Sequence, residues 1–95
     1  MSGSFDPYHK WLGIPPRDQP ANHYRLLGLN LFESDGEVIK LAADRQIGYV
    51  AGIQPDDHTD AADRLLIQLG EARDCLLDPE KKKLYDEGLS DGQKG

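Results

Sequence analysis

Two runs of apolar residues at helical spacing, separated by a short polar stretch, constrain this chain more than any other feature of it. In the first, Ile39, Ala42, Ala43, Ile47 and Val50 fall along one stripe, the repeat that lines a single face of an α-helix. In the second, Ala62, Leu65, Leu66, Leu69, Ala72 and Leu76 do the same. No segment shows the two-residue alternation of a strand. Between the runs lies Gln54-Pro55-Asp56-Asp57-His58, polar and interrupted by proline. Two helices that each carry one apolar face, joined by a short connection, bury those faces against one another. The expected fold is therefore all-α, built on an antiparallel helical hairpin in which Ile39 and Ile47 meet Leu65, Leu66 and Leu69.

Start and stop signals divide the rest of the chain. Ser34-Asp35-Gly36-Glu37 reads as a capping box, with the Ser34 hydroxyl facing the Glu37 amide, and Gly52 and Pro55 end the helix it opens. Thr59 is placed to cap the second long helix. Asp78 caps a short helix with Pro79 at its first position and Gly88 at its close. At the other end, Asp6, Pro7 and Gly13 frame a short helix, Pro15-Pro16 and Pro20 hold the next segment extended, and Asn22 and Gly28 bound a further helical turn. The organisation expected is an N-terminal extension over residues 1–21, a helical domain over 22–89 and a disordered tail over 90–95. Tyr8, Trp11, Leu12 and Ile14 give the extension the apolar surface to pack on the body. The tail, with no apolar residue, has nothing to bury.

Composition limits function more than it limits fold. A chain of 95 residues holds one domain. Its net charge of −6 repels phosphate backbones and anionic lipid, so neither nucleic acid nor membrane is an expected partner. The basic run Lys81-Lys82-Lys83 is flanked by acids. No apolar stretch approaches the ~18 residues of a membrane span. Cys75 stands alone, which excludes an internal disulfide and suits a reducing, cytoplasmic address. Asp56, Asp57, Asp60 and Asp63 lack the central glycine and closing glutamate of a calcium loop, and His9, His23 and His58 are scattered. There is no nucleophile–base set and no phosphate-cradling glycine loop, so no enzyme, metal or cofactor is expected. Tyr8 and Trp11, beside Pro15-Pro16, either roof the core or form an aromatic docking surface for a protein.

Two segments resemble a known family. Tyr24-Arg25-Leu26-Leu27-Gly28-Leu29 is similar to the Tyr-x-x-Leu-Gly-Val that opens DnaJ-type J domains. The stretch from Ala72 to Asp86, ending Leu76-Leu77-Asp78-Pro79-Glu80-Lys81-Lys82-Lys83-Leu84-Tyr85-Asp86, resembles their closing Asp-Pro-x-x-Arg-x-x-Tyr-Asp in unbroken register. Tyr8-His9-Lys10-Trp11-Leu12-Gly13 is similar to a segment that opens a bacterial group of J-like domains at the head of larger proteins. The resemblance implies a J-domain-like hairpin with short flanking helices, and a role in binding a DnaK-type chaperone and stimulating its ATP hydrolysis. The family places that role in a His-Pro-Asp tripeptide between the long helices and in a basic face on the helix before it. Here the tripeptide is Gln54-Pro55-Asp56, and the helix offers only Lys40 and Arg45 against Glu37 and Asp44. Gln54 cannot become cationic, although its amide can donate. The reading that follows is a non-catalytic module that docks a protein partner, or another domain of a larger chain, without stimulating a DnaK-type ATPase. The alternative is a functional co-chaperone. Asp44 and Gln46 are the positions at which added charge would rebuild a basic face.

Overall fold

Asp6, Asn22, Asp35 and Asp78 each turn a side-chain oxygen onto the free amides of a helical first turn. In this way they set where four helices begin. The structure, a computed structural model, describes residues 5–53 and 58–94. It contains α1 (Pro7–Leu12), a 3₁₀ turn (Pro16–Asp18), α2 (His23–Leu27), α3 (Gly36–Ala51), α4 (Thr59–Leu77) and α5 (Pro79–Lys94). No strand occurs among the described residues, and the fold is all-α.

The apolar stripes meet as the hairpin requires. α3 and α4 share the largest interface in the molecule. Ile39, Ala42, Ala43 and Val50 are buried on one helix and Ala62, Leu65, Leu69, Ala72 and Leu76 on the other. Ile47 and Leu66 pack at the rim and are only half-buried. α2 adds Tyr24, Leu26 and Leu27 to the same core. The molecule measures 38 × 30 × 17 Å, and its short dimension is less than two helix diameters of ~10–12 Å. The core is thus one thin layer, so each of its side chains carries a large share of the stability.

The extension is fastened to that body. Ile14 is 1% exposed, and Tyr8, Trp11 and Leu12 pack against the core. The Tyr8 hydroxyl donates to Gln68 Oε1 on α4 at 2.6 Å, while Phe5 meets Trp11 edge-on. Gly13 and Gly28 leave α1 and α2 through left-handed φ values of 71° and 74°, conformations that glycine adopts without a Cβ clash.

Four local expectations are corrected. The cap of α3 is Asp35, not Ser34: the Asp35 carboxylate takes the Glu37 and Val38 amides at 2.9 and 3.4 Å, and its charge suits the helix dipole better than a hydroxyl. Thr59 lies inside α4; His58 holds the cap position and makes no side-chain cap bond. The proline segment is not extended throughout, because Gln19 bonds Asp6 and the Ile14 carbonyl at 3.0 and 3.1 Å and draws it back. Finally, α5 passes through Gly88 to Lys94, so it is no short flanking helix, and helix replaces the tail expected from Ser90. Leu89 packs against the core just beyond the glycine, which rewards another turn.

Candidate functional site

α3 is amphipathic toward the core, yet its outer surface is not the polar face that a solvent-exposed helix normally carries. Val38, Leu41, Arg45 and Tyr49 follow one another at three- or four-residue intervals and so share one face. Val38 is 41% exposed, Leu41 58% and Tyr49 54%. Isolated exposed apolar residues are ordinary, whereas a row along one helix is the composition of a docking face.

The cations expected on this helix are placed differently from one another. Lys40 Nζ sits 3.0 Å from an Asp44 carboxylate oxygen. The other oxygen of Asp44 lies 3.7 Å from Arg73 on α4, so Asp44 ties the two helices together. Arg45 is exposed and makes no ion pair among the described residues. With Glu37 and Asp44 against Lys40 and Arg45, α3 has no net charge. Gln46 faces inward, its side-chain amide donating to the Leu26 carbonyl at 3.0 Å. A charge placed there would break a link between α2 and α3, which corrects the idea that Gln46 is open to basic substitution.

Gln54, Pro55 and Asp56, the expected partner-binding tripeptide, lie outside the described residues together with Asp57. Of their flanks, Ile53 and His58 are half-buried, and the His58 ring stacks on Phe5 with centroids 3.7 Å apart. The extension therefore reaches the start of α4, next to the tripeptide in sequence. Tyr8 and Trp11 are brought to the body instead of standing clear of it. Each is half-buried against the core, which leaves little aromatic surface for a partner.

α5 is locked to α2 by the Tyr24 hydroxyl, which donates to the Asp86 carboxylate. Lys82 holds the second Asp86 oxygen at 2.8 Å and lies 5.7 Å from the Tyr24 ring centroid. The Tyr85 hydroxyl accepts the His23 backbone N–H at 2.8 Å, with the two rings stacked 4.1 Å apart. Burial pushes both tyrosines above the usual phenol range, and in Tyr24 the bond to Asp86 adds to this. Burial also raises the Cys75 thiol, which keeps it in the unreactive protonated form. Among the described residues no three His, Cys, Asp or Glu side chains converge to hold a metal ion, and no described helix is long and apolar enough to cross a membrane.

Of the outer face of α3, only Arg45 is among the residues expected from the sequence, and Val38, Leu41 and Tyr49 are not. Their signal was present, because Val38, Leu41 and Tyr49 repeat at helical spacing about a third of a turn from the buried stripe. Comparison with known proteins finds no matching family model, no matching curated protein and no matching solved structure.

Proposed function

We propose that this chain is a J-domain-like module that docks another protein through α3 and does not stimulate a DnaK-type ATPase. The order of elements supports the likeness: a short helix ending in Leu27-Gly28, a long hairpin, and a last helix begun by Asp78-Pro79. The observation that carries the functional reading is the outer face of α3. A basic face would steer an acidic partner by long-range attraction. This face instead presents Val38, Leu41 and Tyr49 with Arg45 as its one cation, and the helix's other cation, Lys40, is neutralised by Asp44. Such a surface suits a mainly apolar partner and offers a single cation to steer it. Gln54 in place of histidine points the same way, since the amide lacks a titratable, cationic state.

Steady-state ATP turnover by a DnaK-type chaperone, with and without the chain, tests the proposal. No increase is expected at any concentration of the chain. An increase that Asp56→Asn abolishes would instead establish the co-chaperone reading, with Pro55-Asp56 sufficient on its own.

A further inference from the structure

Gly48 lies inside α3, in its last turn, and the fold of the chain makes no use of it. The residue is exposed, and apart from the helix's own backbone a Cβ added there would meet no atom within 4 Å. Its backbone is ordinary helix, with no left-handed φ to require glycine. Glycine inside a helix is less stable than alanine, because it gives up more backbone freedom on folding. Here that cost is carried with no neighbour in the chain that needs the space. Gly48 follows Arg45 by three residues and Leu41 by seven, so it borders the outer row of Val38, Leu41, Arg45 and Tyr49.

Arg45 adds an independent feature to the same row. It lies between Leu41 and Tyr49, exposed and without an ion pair among the described residues. The neighbouring carboxylate, Asp44, is already taken by Lys40 and Arg73. A purely apolar partner covering this row would bury the guanidinium with nothing to pair it, a cost that a carboxylate placed opposite removes. From Val38 to Tyr49 the row runs about 16 Å along the helix, at 1.5 Å per residue.

We infer that this surface takes one α-helix of another protein, laid along α3 and packed closely over Gly48. Its apolar side chains meet Val38, Leu41 and Tyr49, and one carboxylate on the same face meets Arg45. A helix is the element whose side chains recur at the three- and four-residue spacing of this row. The missing Cβ at Gly48 leaves a hole that one large side chain of that helix fills. A second copy of this chain fits less well, because each copy carries a net charge of −6 and like charges oppose association. The inference deepens the docking reading and rests on it for the use of α3, but not on Gln54 or on a DnaK-type chaperone.

The test is a selection, against the unaltered whole chain, of phage-displayed peptides of about 20 residues, long enough to be helical, randomised along one face. Recovered peptides should carry apolar residues at helical spacing and an Asp or Glu at one fixed place among them. Their synthetic copies, titrated by fluorescence anisotropy, should bind about tenfold or more weakly when that acid becomes its amide, and similarly for Arg45→Gln. Combining the two changes should add no further loss. Gly48→Ala should raise the urea midpoint of the free chain and yet weaken binding about tenfold, by overfilling the contact. Leu41 is 58% exposed, so Leu41→Asp should abolish binding with little change in the urea midpoint. Recovery of no peptide, or binding that Leu41→Asp leaves intact, overturns the surface. Undiminished binding to Arg45→Gln overturns the charge pair, and undiminished binding to Gly48→Ala overturns the close approach. Sedimentation as a dimer that Leu41→Asp dissociates overturns the separate partner in favour of a second copy. The ATPase experiment contains no peptide, so stimulation there overturns the proposed function and leaves the helix site standing, while a failed selection overturns the helix site alone.

Discussion

The α3–α4 hairpin and the α2–α5 junction hold one small molecule together by different means. In the hairpin, Leu65, Leu69, Ile39 and Val50 exclude water over a broad face, an attraction that is non-directional and grows with area. In the junction, a tyrosine, an aspartate and a lysine are joined by directed bonds, and a stacked His–Tyr pair seals the edge. The hairpin gives the domain its stability. The junction gives α5 its one angle, because a hydrogen bond lost there leaves a partner unsatisfied where little water reaches.

The largest effect should come from the hairpin. Leu69 is 0% exposed, and Leu69→Ala should cost about 2–5 kcal/mol in urea unfolding, a large part of the ~5–15 kcal/mol that a domain possesses. Leu66→Ala should cost distinctly less, since Leu66 sits half-buried at the rim. Equal losses at the two positions would mean that the hairpin is not packed as described.

Removing the junction's central bond should come next. Tyr24→Phe keeps the ring in the core but deletes the donor to Asp86, a loss of roughly 1.5–3 kcal/mol for a bond to a charged group. Lys82 still holds Asp86, which places the expected value near the lower end. A neutral Tyr24→Phe would show that the junction is held by its rings alone.

A smaller effect concerns pH, and it has two flanks. His23 is depressed by burial in the folded state, so its contribution is full above the unfolded value of ~6.5 and lost as pH falls below it. Tyr24 and Tyr85 are raised by burial, so their contribution is full below ~10 and lost as pH rises past it. Stability should therefore fall on both sides of a plateau. His23→Gln should flatten the acid side alone and Tyr24→Phe should weaken the alkaline side alone, both read from urea midpoints across pH. Loss of both slopes on either substitution would contradict the separate assignment.

The same contrast explains what could be read from the chain. The hairpin's apolar stripes repeat within each helix, so short windows of sequence reveal them. Asp6, Asn22 and Asp78 stand next to the amides they cap and are equally legible. The junction joins residues 62 positions apart, Tyr24 to Asp86 and His23 to Tyr85, and no local pattern pairs them. Ser34 fits the capping-box pattern, but the neighbouring Asp35 carboxylate, whose charge suits the helix dipole, takes the amides. Gly88 signals a stop in the sequence, but the packing of Leu89, a tertiary contact, carries α5 past it. Phe32 adopts a left-handed φ of 64°, held with its ring edge-on to Tyr24, where the sequence offers no glycine to announce it. Of the candidate site, Lys40 and Arg45 were legible as residues, but the pairing of Lys40 with Asp44 and the inward turn of Gln46 required the fold.

On the proposed reading, Gln54 and an outer face of α3 with Arg45 as its one cation together keep this chain from acting on a DnaK-type chaperone. The most direct measurement is chaperone ATP turnover with four proteins: the unmodified chain, Gln54→His, Leu41→Lys with Tyr49→Lys, and all three substitutions combined. Leu41 and Tyr49 are 58% and 54% exposed, so lysines there need not disturb the core. No stimulation is expected from the unmodified chain, little from either partial variant, and clear stimulation from the combination. Stimulation by the unmodified chain as strong as that by the combined variant would contradict this reading.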